Sequence, residues 1–190
     1  MKRFAPLLAP ILLACSSLLF AAPAVEHLRL SVIPTAVSSG AAEAMVVSGG
    51  RWTTERHLVH AAVLIEHPKG RFLFDTGLGR QTAEAFARNN WINRTLLAYE
   101  QLNPARDQLE AAGYSADDID FILPSHLHWD HLGGLPDFPG IPVKVLPGAL
   151  EEARDHGEPP AFLAEQLEGQ REWQQIELDN TPYQGFEQSL

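Results

Sequence analysis

His126-Leu127-His128-Trp129-Asp130-His131, followed at once by Leu132-Gly133-Gly134, decides how this chain is read. Imidazole and carboxylate are ligand types that suit zinc and related divalent ions, and four such groups fall within six positions. The apolar run Ile119 to Leu123 just before them reads as a buried strand, so the motif occupies the loop leaving that strand's C-terminal end. A rigid sheet commonly mounts functional loops at such an edge. His126 and His128 lie two apart, so on an extended or turn backbone they point the same way. Asp130 and His131 lie beyond and can reach a second, adjacent ion. Zinc carries no redox chemistry; it polarises a carbonyl and acidifies bound water. Asp130, beside such a water, can orient it or take its proton, and is the catalytic candidate.

Outward from the motif, local patterning sets the rest. Residues 27–33 and 44–48 are expected as short strands with a turn at Ser38-Ser39-Gly40. His57 to Ile65 reads as a strand, His67-Pro68-Lys69-Gly70 as a turn, and Arg71 to Phe74 as the hairpin partner. His57 and His60 are read as packing residues of that strand. Segments 81–89 and 91–101 have helical patterning, and a clearer helix opens at Asn103 as N-cap with Pro104 first, ending near Gly113. Ser115 to Asp118 forms a helical turn, Ile141 to Leu146 a strand, Pro147 to Asp155 a helix, and 161–178 a further helix, followed by a turn at Asp179-Asn180-Thr181-Pro182. His156 is read as a solvated residue at a helix end. Strands first, then alternating helix and strand, give an α/β or α+β fold.

The N-terminus carries Lys2-Arg3, an apolar centre from Phe4 to Ala22, and Ala22-Pro23-Ala24 as a small-residue exit. This is the pattern of an export signal over residues 1–24, with one domain over 25–190 and a periplasmic or secreted location. The stretch is too broken for a membrane span. Leu12-Leu13-Ala14-Cys15 offers a second reading, an outer-membrane lipoprotein anchored at Cys15. Cys15 is the one cysteine, so the exported domain has no disulfide and depends on its core. With 24 acidic against 14 basic residues the chain carries a net charge of −10, a surface that repels nucleic acid and anionic lipid.

Residues 126–131 resemble the H-x-H-x-D-H signature of the metallo-β-lactamase superfamily, Asp118 to Leu123 and Leu132 to Leu135 resemble its usual surroundings, and Phe74-Asp75-Thr76-Gly77 resembles its upstream F-D-T-G element. The resemblance covers roughly residues 57–155 and implies an αββα sandwich of two similar halves with metals along one edge. It implies that His126 and His128 bind one ion, that Asp130 and His131 bind a second, and that Asp75 supports the metal loop from behind. Trp129 falls at a variable position, equally suited to packing and to a pocket wall. The cofactor implied is zinc, two ions in a complete enzyme, with iron as the alternative. The chemistry implied is hydrolysis of a small ester, lactone, thioester or β-lactam by water activated on the metal. The Phe74-Asp75-Thr76-Gly77-Leu78-Gly79 element, the uninterrupted metal loop and the insert at 80–102 favour the lactonase-like branch.

The superfamily's later ligands, a histidine in a Gly-His-Thr/Ser-rich loop, a bridging aspartate and a last histidine, have no counterpart before Leu190. The sandwich is therefore expected to be incomplete at its C-terminal end. Two alternatives follow: a metal-binding fragment without turnover, and an iron-dependent sulfur dioxygenase on the same scaffold. The expected partner is a small-molecule substrate, together with self-association through an unfinished sheet.

Overall fold

The computed structural model describes residues 26–159, 161–168 and 172–177. The expected export signal over residues 1–24, including Cys15, and the turn at 179–182 lie outside the described residues. Among the described residues six strands form one mixed sheet in chain order: β1 (Arg29–Ala42), β2 (Glu55–His67), β3 (Gly70–Phe74), β4 (Phe121–Leu123), β5 (Val143–Val145) and β6 (Trp173–Gln175). The first three pair antiparallel, with β2 and β3 joined by a tight hairpin closing on His67 and Gly70. From β3 to β6 the pairing is parallel, which requires crossovers, and helices supply them. In chain order the helices are α1 (Glu43–Val46), α2 (Thr82–Ala87), α3 (Trp91–Leu96), α4 (Ala105–Ala111), α5 (Trp129–Leu132), α6 (Ala149–His156) and α7 (Ala164–Leu167).

Alternation along the strands sorts side chains between two faces. Leu64, Leu73, Ile122 and Val143 point to the helix-covered face and pack with Ala105 and Leu109 of α4, Leu132 of α5, and Leu150 and Ala153 of α6. The opposite face is also apolar. Leu30, Ile65, Phe72 and Phe121 form one row across four strands, and Val32, Val63, Phe74 and Leu123 form the next. Phe72 and Phe121 stack at 4.6 Å, with the Lys144 ammonium over the Phe121 ring. Leu30 and Val32 are 62% and 66% exposed. Continuous apolar runs such as Ala61 to Ile65 and Phe72 to Phe74 belong to strands buried on both faces. The described helices cover one of them.

The mixed α/β class agrees with the sequence, while three local expectations give way to tertiary pairing. β1 runs unbroken through Ser38-Ser39-Gly40, because register shifts between Pro34 and Ala36 and between Ser38 and Ala41 absorb the irregularity and Gly40 takes φ +84°. Residues 44–48 are not a strand: Glu43 opens the one-turn α1, its N–H donating to Thr54 O and its carboxylate bound by Arg51 N and Arg56. Segment 161–178 splits into α7 and β6, since β5 offers an open edge that Trp173 to Gln175 occupies. Helix starts also shift. Pro104 is the cap of α4, not its first residue, and α6 opens after Gly148, not at Pro147. No helix among the described residues is long and apolar enough to cross a membrane.

Candidate metal centre

β4 ends at Leu123, and the chain then turns through Pro124 and Ser125 into the histidine segment. His128 keeps an extended backbone (φ −73°, ψ 154°) as the cap of α5, and Asp130 and His131 fall in that helix's first turn. An extended approach followed by a helical turn wraps the side chains onto one rim. The His126 ring centroid lies 4.4 Å from that of His128 and 4.0 Å from that of His131, and His131 Nε2 lies 3.6 Å from Asp130 Oδ2.

The loop after β3 holds this rim from behind. Asp75, buried and at φ +58°, accepts hydrogen bonds from Ser125 N (2.6 Å) and Ser125 Oγ (2.9 Å), and its Oδ2 lies 2.7 Å from His131 Nδ1. Thr76 donates through both N and Oγ1 to His131 O. Gly134 N donates to Gly77 O, and a Cβ at Gly134 would stand 2.6 Å from Thr76 O. Only glycine lets the two loops approach this closely. A carboxylate can only accept, so His131 presents Nδ1–H to Asp75 and leaves the Nε2 lone pair on the open side. Ser125 Oγ gives its proton to Asp75 and lies 3.0 Å from His126 Nδ1, which turns His126 Nε2 outward in the same way.

The electrostatics suit a cation. Burial, then the neighbouring His131 and His128, lower His126 below the ordinary imidazole value, so its lone pair is available. Burial works against charge on Asp130, but the His60 and His131 imidazoles outweigh it and hold the carboxylate below its usual value. Burial likewise opposes charge on His131, yet Asp75 and Asp130 lift it above the ordinary value. Two carboxylates thus demand positive charge at a rim of imidazole nitrogens, a donor set that fits zinc. Among the described residues no three His, Cys, Asp or Glu side chains are drawn together closely enough to enclose a metal ion.

Two groups of contacts had no local signature. Trp129 is buried, stacked on Phe86 at 5.1 Å, so it packs and does not line an open pocket. Its N–H donates to Ala161 O and its carbonyl accepts from Gln166 Nε2, while Phe162 meets the His128 ring edge-on at 4.9 Å. Residues 161–166 therefore brace α5, although nothing in their order announces it. His60, read from sequence as packing, instead lies against the rim: its Nδ1 is 3.3 Å from Asp130 Oδ2 and its Nε2 is 2.9 Å from Ser38 Oγ. His57 and His156 are exposed, the latter at the end of α6.

A family model described as the metallo-beta-lactamase superfamily matches residues 56–188. A probable metallo-hydrolase of Mycobacterium tuberculosis is 33% identical over 132 residues, covering 65% of this chain and 41% of that protein. An N-acyl homoserine lactonase of Bacillus thuringiensis is 32% identical over 97 residues, covering 47% of this chain and 37% of that protein. A solved N-acyl homoserine lactone hydrolase, with the product N-hexanoyl-L-homoserine at its catalytic metal centre, superposes with a TM-score of 0.59 at 25% identity, over 80% of this chain and 62% of its own. The chain spans about two-fifths of the length of these curated relatives.

Proposed function

Because the chain belongs to the metallo-beta-lactamase superfamily, we propose that its histidine rim serves a zinc-dependent hydrolase that opens small lactones, N-acyl homoserine lactones foremost. The observation that carries this is the Asp75–Ser125–His131 junction, which fixes ring orientation so that imidazole lone pairs face an open edge. His126 and His128 would hold one zinc ion, and Asp130 with His131 a second. Zinc, when bound, supplies Lewis acidity that polarises a lactone carbonyl and acidifies water. Asp130, its carboxylate held by His60, would orient the attacking water and accept its proton. The ring C–O bond then breaks and the departing oxygen takes up that proton, leaving a hydroxy acid. Lactones rank ahead of thioesters and β-lactams because lactonases stand among the relatives by sequence and by fold.

Residues 1–24 belong to this proposal as an export signal, placing the protein where diffusible lactones are met. The test is acid release from N-hexanoyl-homoserine lactone by zinc-supplemented protein, followed at constant pH. Turnover that disappears in Asp130→Asn is the expected result. Cleavage of thioesters or β-lactams without lactones, or iron in place of zinc in the purified protein, would overturn the reading.

A further inference from the structure

We infer that His60, held by Ser38, is a positioning residue that sets the Asp130 carboxylate at the rim; the inference rests on the metal-centre reading above. His60 lies on the helix-covered face of β2, in the same alternation as Ala62 and Leu64, and its side chain is only 8% exposed. Its Nδ1 stands 3.3 Å from Asp130 Oδ2 and its Nε2 stands 2.9 Å from the buried Ser38 Oγ. Trp129 closes the side of the ring at a centroid distance of 6.0 Å.

The chemistry at the two nitrogens selects one tautomer. A carboxylate only accepts, so the proton belongs on Nδ1; Nε2 then accepts from the Ser38 hydroxyl, which can donate. Oδ2 also lies 3.6 Å from His131 Nε2, so the imidazole of His60 holds in place the carboxylate oxygen that faces the rim. The backbone beneath is fixed as well. Thr35 Oγ1 donates to His60 O at 3.0 Å and accepts from Leu78 N at 3.0 Å, so one hydroxyl joins β1, β2 and the loop that carries Asp75. The register shifts flanking Ala36 to Ser38 aim Ser38 at the imidazole. Ser38 and Asp130 lie far apart in sequence and meet only through His60. Packing alone does not require a ring whose two nitrogens each face a polar partner.

The test uses the full chain in three variants. His60→Leu removes the donor, His60→Asn restores an N–H where Nδ1–H stands, and Ser38→Ala removes the group that selects the tautomer. Long-range nitrogen–proton NMR of metal-free wild type should show the Nδ1–H tautomer, shifted in Ser38→Ala. Zinc titration should show affinity falling about 10- to 100-fold in His60→Leu, the range for groups that orient metal ligands. His60→Asn should recover most of it, with the melting temperatures of the two variants alike. An Nε2–H tautomer in wild type, or zinc affinity in His60→Leu equal to wild type, overturns the inference while leaving the metal-centre reading intact. Wild-type protein that binds no zinc overturns both.

Discussion

Replacing Asp75 by Asn tests the junction on which the rim depends. The change removes one buried negative charge and turns one carboxylate oxygen into an NH2 donor. Oδ1 accepts from Ser125 N, while Oδ2 faces Ser125 Oγ and His131 Nδ1. The amide oxygen can keep only one of these sides. If it stays on Ser125 N, the NH2 group confronts His131 Nδ1–H, and the imidazole must move its proton to Nε2. The lone pair that faced the rim is then lost. Hydrogen bonds to charged groups contribute about 1.5–3 kcal/mol each, so losing two of three, with part recovered by a reoriented Ser125, costs about 3 kcal/mol. A domain with about 5–15 kcal/mol of stability still folds. Urea unfolding should therefore show a lower midpoint with an unchanged slope. Zinc affinity should fall about 10- to 100-fold, as for other groups that orient metal ligands. A stability loss under about 1 kcal/mol, less than one such bond, together with unchanged zinc affinity would refute the reasoning.

Burial raises Asp137 above the usual carboxylate value despite the hydrogen bond from Arg80 N. Its folded form holds a proton more tightly than its unfolded form, so its contribution is fully present below the unfolded value, near pH 4, and is lost as pH rises through the raised value. Asp137→Asn should gain stability relative to wild type across that window; unfolding curves that keep a constant gap from acid to neutral pH would contradict this. The apolar face that no described helix covers should drive association, so sedimentation should find oligomers that Val32→Lys disperses, with stability changed by no more than about 0.5 kcal/mol because Val32 is largely exposed. Wild-type protein that sediments as a monomer at high concentration would remove that role from the face.

What the sequence discloses here is what is local. The His126 to His131 segment and the Phe74 to Gly77 element can be placed from their own residues, because a strand run followed by glycines and turn formers specifies a strand end by short-range chemistry. The β2–β3 hairpin is legible for the same reason, through Pro68, Lys69 and Gly70. The Ser38-Ser39-Gly40 turn misleads because the β2 ladder overrides it, and Trp173 to Gln175 becomes a strand only because β5 has an edge to fill. His60 eludes local reading altogether: its partners Ser38 and Asp130 come from other elements, and no spacing rule joins them. Asp75 was legible as a support for the loop, but the three donors it serves are visible only in the folded chain.

Calorimetric titration of the chain with zinc, beside His126→Ala and His128→Ala, tests the central claim most directly. Wild type should bind zinc, and both variants should lose that binding while keeping their secondary structure. Wild-type protein without measurable zinc binding, or either variant binding as wild type does, would contradict the account.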